Sequence, residues 1–217
     1  MTTKRTIRDN QKKWLKSNQH LKILDLGCSN NNYWEEANHF ADIWDFEEIF
    51  KEKKLNFTRI YPDQKLPFKD KEFDYVICAH VIEHVNDPIM FKSEIERIGK
   101  AGYIELPTRL NDNMVFGCDE EEFGHKWWFE FDDDNEKLIF AKRVNAIEKF
   151  VSVGSIFALT EIFQDSFIIQ VNWTDKINLE ERAPYTVSNK ITFLTLIKKY
   201  FSKKVREKIS KIKEIFN

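Results

Sequence analysis

A doubly wound α/β sheet is the fold class that three features of the sequence predict. Short apolar segments alternate with helix-compatible ones through residue 107, the order that builds βαβ units and a largely parallel sheet. The segment FDYVICA at residues 73–79 is almost wholly apolar, as expected of a strand buried on both faces. The segment LKILDL at residues 21–26 runs straight into Gly27, Cys28, Ser29, Asn30, Asn31 and Asn32, a cluster of turn formers. In open α/β sheets the ligand crevice lies at such strand ends.

Each element follows in order. Residues 21–26 form the first strand, residues 33–40 suit one or two helical turns, and FADIWDF at 40–46 reads as a second strand closing on an acid. A charged helix or loop at 47–54 leads to NFTRIY at 56–61, a third strand, and then to the buried strand at 73–79. Asp87 before Pro88 caps a helix in which Ile89, Phe91, Ile95 and Ile98 recur at helical spacing until Gly99 and Gly102 end it. YIEL at 103–106 is a further strand, stopped by Pro107. Beyond it the pattern turns aromatic and alternating: WWFEF at 127–131, a turn at Asp132, Asp133, Asp134 and Asn135, and LIFAK at 138–142 predict a hairpin. Residues 147–162 are helix-compatible and 167–173 strand-like. From Thr195 onward Phe201, Val205, Ile209, Ile212 and Phe216 lie on one helical stripe. The organisation expected is one α/β domain over residues 1–194, with its motif-bearing core at 21–108 and a hairpin addition at 111–145, followed by a basic amphipathic helix over 195–217.

Composition narrows the function classes. A chain of 217 residues at 42% hydrophobic and 32% charged has room for one core. No apolar run approaches the ~20 residues of a membrane span, and the polar start MTTKRTIRDNQKKW lacks the apolar stretch of a secretory signal, so the expected location is the cytoplasm. Cys28, Cys78 and Cys118 are far apart and form no CxxC pair, which suggests neither a disulfide framework nor a zinc knuckle. The formal net charge of -2 argues against a generic nucleic-acid binder. That total conceals an asymmetry, since nine of the basic residues lie in 190–217 against Glu207 and Glu214, leaving the first 189 residues strongly acidic.

The unit Asp25-Leu26-Gly27-Cys28-Ser29 has a physical reason to sit at a cofactor, because a glycine just past a strand lets a ligand approach the backbone. It is followed by LPFKDKEFD at 66–74 and VIEHVNDP at 81–88. These ordered segments resemble the class I S-adenosylmethionine-dependent methyltransferases, in particular the small-molecule branch with DxGCGxG, LPFxDxxFD and hxEHhxDP motifs. The resemblance covers residues 21–108 and implies a Rossmann-like sheet, with S-adenosylmethionine as cofactor. It implies that Asp25, Gly27, Cys28 and Ser29 wrap the methionine part and that Asp45 binds the ribose, with Asp42 in that role if the strand ends earlier. The family acid that receives the adenine amino group falls on Pro62, one residue from Asp63, and Ala79 and His80 would line the open side of the cofactor. Ser29 and Asn31 replace the second and third family glycines. Where such a position needs positive φ, a side chain costs about 1–2 kcal/mol.

Methyl transfer to a hydroxyl needs an acceptor in line with the methyl group and a base, and histidine is the natural base near neutral pH. His80, His84 and His125 are candidates, His84 and His125 being assigned as catalytic. By resemblance the Glu83-His84 pair more often supports the loop than performs chemistry, and some family members use that pair region for a metal; here no metal is expected. Trp127, Trp128 and Phe129 read either as a stacking platform for a sugar or aromatic acceptor or as strand residues covering a sheet. The acids at 119–122 and 132–134 read as solvated loop charges. HKWW after the GYIELPTRL segment is similar to methyltransferases of surface-polysaccharide and other glycan assembly. The expected function is methyl transfer to a small-molecule or glycan acceptor, at oxygen. The alternative is a non-catalytic binding or scaffold module whose loop no longer holds the cofactor. The basic C-terminal helix is open to packing on the domain, to a protein partner, or to contact with a membrane surface.

Overall fold

The computed structural model describes residues 2–114, 124–143, 164–182 and 193–216. Its centre is a seven-stranded sheet of β1 (Thr2–Arg5), β2 (Ile23–Leu26), β3 (His39–Asp42), β4 (Asn56–Arg59), β5 (Phe73–Ala79), β6 (Gly99–Pro107) and β9 (Ile168–Thr174), in the order β1-β9-β6-β5-β2-β3-β4. Strands β4, β3, β2, β5 and β6 run parallel, whereas β9 is antiparallel to both β6 and β1. A second sheet carries β7 (Trp127–Asp132), β8 (Lys137–Lys142) and β10 (Leu179–Glu181) in the order β10-β8-β7. The predicted doubly wound α/β class is therefore observed. The chain winds outward from β2 to β4 and then returns to place β5 on the other side of β2, which puts the topological switch point between β2 and β5.

Alternation along the strands divides the core into two layers. On one face Ile23, Phe40, Tyr75, Ile77 and Tyr103 pack against Leu15 of α1 (Arg8–Ser17) and Phe50 of α2 (Glu47–Glu52). On the other, Leu24, Leu26, Val76, Cys78 and Ile104 meet Phe91, Ile95 and Ile98 of α3 (Pro88–Ile98), together with Phe129, Leu138 and Phe140 of the second sheet. Each such fully buried side chain contributes about 1.5–3 kcal/mol. The predicted start of α3 is present in detail: the Asp87 carboxylate accepts from the Ile89 and Met90 amides at 2.9 Å, and proline occupies the first turn. Gly102 supplies a close approach, since a Cβ there would lie 2.2 Å from the Val76 carbonyl oxygen. Smaller elements complete the description: α4 (Arg109–Met114), α5 (Gln164–Phe167) and the long α6 (Phe193–Phe216). Among the described residues no helix is long and apolar enough to cross a membrane.

Several expectations need correction. Residues 33–38 form turns rather than helix, because tertiary hydrogen bonds claim the segment. The Trp34 amide donates to the buried Asp25 carboxylate at 2.7 Å, and the Asn38 side chain accepts from the Ile23 amide and donates to the Leu21 carbonyl. The second strand ends at Asp42, not at residue 46, for a reason that bears on the site and is given below. Strand β6 begins at Gly99 itself, directly after α3. The polar opening segment is ordered as β1 and α1. The helix expected at 147–162, together with Cys118 and the acids at 119–122, lies outside the described residues. On α6, Phe201, Val205 and Ile209 are exposed.

Candidate cofactor site and active site

A cavity of about 720 Å³ opens at the C-terminal ends of β2, β3 and β5, at the switch point. Its floor begins with the loop after β2. Gly27 has φ +82°, and a Cβ built on it would stand 2.3 Å from Val81 Cγ2, so both conformation and space demand glycine there. Ser29 also has positive φ, 54°. The second family glycine is thus replaced by a residue that holds the glycine-like conformation. Within this loop positive φ is confined to Gly27 and Ser29 among the described residues, so Asn31 meets no such demand. The Gly27 and Cys28 amides donate to the Ala41 carbonyl at 2.7 and 3.3 Å, locking the loop onto β3.

Asp42 ends β3 and faces the cavity, almost completely buried. One carboxylate oxygen accepts from the Ser29 amide at 3.0 Å and the other from the Trp44 amide at 3.0 Å. The second bond is a local side-chain-to-backbone turn, which takes the amide of Trp44 and so stops the strand at Asp42. Each oxygen retains a lone pair for a ligand hydroxyl. Asp45 lies outside the cavity lining: its carboxylate accepts from the Glu47 amide at the start of α2 and pairs with Arg59 at 3.3 Å, more than half exposed. The alternative Asp42, rather than Asp45, is the acid that the structure brings to the cavity.

Other predicted residues divide between lining and support. Asp63 lines the cavity in a left-handed conformation and accepts a hydrogen bond from the Asn86 side chain. Asp25 and Cys28 lie beneath the loop, 2% and 1% exposed. Burial pushes the Asp25 carboxyl up to about 7, against the opposing Trp34 amide and Arg8 charge, and pushes the Cys28 thiol far above its ordinary range. Ala79 is half-buried at the end of β5, and His80 follows it into the cavity wall. His80 Nδ1 is 3.4 Å from Glu83 Oε1 and its Nε2 is 3.3 Å from Glu105 Oε1. Burial disfavours a charged imidazole, yet the carboxylates of Glu105 and Glu83 outweigh it and hold the His80 proton well above the histidine range. His80 is therefore an anchoring cation rather than a base at neutral pH.

His84 lines the cavity and meets His125 edge to face, with ring centroids 4.6 Å apart. His125 Nδ1 is 2.8 Å from a carboxylate oxygen of Asp112, which is 1% exposed. The hairpin is stitched to this place: the Lys126 amide donates to the Glu83 carbonyl at 2.8 Å and Trp127 Nε1 donates to the Val85 carbonyl at 2.8 Å. Trp128 and Phe129 are buried, Trp128 beneath the Arg109 guanidinium at 4.2 Å, so the pair covers a sheet. Aromatic lining comes instead from Trp44, Phe46 and Tyr61, which the sequence did not mark; Trp44 and Tyr61 are each 53% exposed beside a strand end.

The arrangement fits S-adenosylmethionine: a glycine-floored loop, a buried carboxylate at the next strand end, and a largely apolar wall containing Ile60, Leu66 and Phe91. Residues 24–104 match a methyltransferase domain family. An uncharacterized protein of Methanocaldococcus jannaschii is 28% identical over 153 residues, which are 65% of this chain and 66% of that protein. The chain thus spans just under two thirds of the length of this curated relative. Among solved structures, a SAM-dependent methyltransferase of Thermotoga maritima, a possible histamine N-methyltransferase, is similar over 75% of this chain and 87% of its own, at 14% identity and a TM-score of 0.44. A putative methyltransferase of Haloferax volcanii, solved in complex with the Trm112 methyltransferase activator, is similar over 77% of this chain and 95% of its own, at 13% identity and a TM-score of 0.48. The match to the methyltransferase domain family spans β2 to β6 and most of the loops that line the cavity.

Proposed function

We propose that this chain transfers a methyl group from S-adenosylmethionine to an oxygen of a small hydroxylated acceptor, a sugar or glycan unit being the class suggested by the HKWW resemblance. The observation that carries the reading is the left-handed Gly27–Ser29 loop facing the buried Asp42 carboxylate across one cavity. S-adenosylmethionine supplies a methyl carbon on a sulfonium, which an oxygen lone pair can displace. In this reading Gly27, lacking a side chain, lets the amino-acid portion approach the loop backbone, Asp42 accepts from the ribose hydroxyls, and Asp63 lies within the adenine end. His84, with His125 packed against it, lies on the acceptor side, where an imidazole nitrogen would take the hydroxyl proton as the oxygen takes the methyl group and S-adenosylhomocysteine leaves. The glycine-like conformation of Ser29 supports a competent loop over the non-catalytic alternative.

Calorimetric titration with S-adenosylmethionine and S-adenosylhomocysteine tests the reading. Binding in the micromolar range is expected, reduced at least tenfold by Asp42→Ala and nearly unchanged by Asp45→Ala. Absence of binding at millimolar ligand by a folded protein would overturn the proposal.

A further inference from the structure

We infer that Glu83, His84 and His125 form a binding site for a divalent first-row transition ion at the acceptor side of the cavity. One ligand atom from each of these residues lies within 4.8 Å of the other two. The residues come from two elements, the loop after β5 and the entrance to β7, which the Lys126–Glu83 backbone hydrogen bond holds side by side.

Two further observations point to a cation. Glu83 is 0% exposed, and neither of its carboxylate oxygens accepts a hydrogen bond. His80 Nδ1 stands within ion-pair reach of one of them, at 3.4 Å, without completing such a bond. The charge on His80 is shared with Glu105, so the fully buried Glu83 carboxylate, with no completed hydrogen bond on either oxygen, has room for a second cation. Independently, the buried Asp112 carboxylate holds His125 by Nδ1 at 2.8 Å, which leaves Nε2 as the ligating nitrogen. A carboxylate behind a histidine is the outer-shell device that fixes ring orientation at metal sites.

The donor chemistry chooses the ion. Two imidazoles and one carboxylate suit zinc, cobalt, iron or manganese, whereas magnesium and calcium favour oxygen donors. Bonds of about 2.0–2.2 Å in tetrahedral geometry set ligand atoms roughly 3.4 Å apart. With His125 held by Asp112, an ion would draw the present set, now within 4.8 Å, together mainly by a shift of His84. Three protein ligands leave a coordination position open. Because His84 also lines the cavity, an ion held by it would sit against the cavity wall. Where the methyl-transfer reading holds, an acceptor hydroxyl on the ion would lose its proton to solvent near neutral pH, and the imidazole lone pairs would serve the metal rather than that proton.

Metal binding is measured on the full, untagged chain after chelator treatment, by titrating Co²⁺ and following its visible ligand-field absorption, with Zn²⁺ as competitor. One equivalent is expected, without sulfur charge-transfer bands, and His84→Gln and His125→Gln should each weaken it at least tenfold. Asp112→Asn should weaken it about 10–100-fold. These variants avoid the fully buried Glu83, and circular dichroism verifies their fold. No stoichiometric Co²⁺ binding by the folded chain, or affinity unchanged in both histidine variants, would overturn the site and leave His80 as sole counter-charge to Glu83. Calorimetry with S-adenosylmethionine on the metal-free chain separates the two proposals: cobalt binding without cofactor binding sinks only the function proposed above, and the reverse sinks only the metal site.

Discussion

Gly27→Ala tests the floor of the cavity. The perturbation has two parts that the structure separates. An alanine at φ +82° carries a left-handed penalty of about 1–2 kcal/mol, partly offset by roughly 0.4–1 kcal/mol from the stiffer unfolded chain. Its Cβ would also stand 2.3 Å from Val81 Cγ2, and overpacking of this kind costs about 1–3 kcal/mol. The net expectation is a loss of about 2–4 kcal/mol, read from urea unfolding followed by tryptophan fluorescence, or a fall in Tm of roughly 5–15 °C. Truncating Val81 to alanine in the same background removes the clash but not the dihedral strain. The double-mutant cycle should therefore recover about 1–3 kcal/mol and no more. A loss below about 0.5 kcal/mol in Gly27→Ala, or no coupling to Val81, would refute the account of why glycine is required here.

Further perturbations probe other contacts. Arg97 donates to the Leu66 and Phe68 carbonyls while pairing with Glu94 and Asp70, so it clamps the LPF segment; Arg97→Ala should lower unfolding free energy by about 2–4 kcal/mol, and a loss under about 1 would remove the clamp from the argument. Burial raises the folded-state carboxyl of Asp25 above its unfolded value of 3.8 to about 7, so the native chain keeps a proton that the unfolded chain releases, and stability falls as pH rises through that window. Asp25→Asn should therefore gain about 2–3 kcal/mol relative to the parent between pH 5 and pH 8, and parallel stability profiles would contradict the assignment. Ser29→Gly should change stability by less than about 0.5 kcal/mol, because released strain and added unfolded-state entropy nearly cancel, whereas the β-branched Ser29→Val should lose about 2 kcal/mol in the same unfolding assay.

Much of this was legible where local chemistry decides the outcome. The run at Phe73–Ala79 could only be a doubly buried strand, Asp87 before Pro88 announced a helix start, and the alternating aromatics around 132–135 announced a hairpin. What escaped depends on distant partners. The segment at 33–38 is turned by Asp25 and Asn38 rather than by its own propensity, and β3 stops early because Asp42 captures amides on both sides of the cavity loop. That early stop is why Asp42, and not Asp45, faces the cavity. The opening strand and α1 were hidden because β1 gains its order from β9, far along the chain, and α1 is polar apart from Trp14 and Leu15. The meeting of His84 with His125 leaves no spacing signal either, since it depends on how the hairpin docks.

The pairing of β1 with β9 has a consequence for biosynthesis. Arg5 aligns with Val171 and Thr2 with Thr174, so the partners of β1 are made 166 and 172 residues after it. Until then Arg8 lacks the Gln170 side chain that receives its amide, although its contacts to Glu105 and to the face of Trp34, at 4.7 Å, become available sooner. Strand β6 likewise waits with a bare edge that β9 will fill. An exposed parallel edge beside a finished cavity is a template for pairing with neighbouring nascent chains. Insertion of β9 therefore covers the edge of β6 and gives β1 its partner together, because β9 lies between them in the sheet.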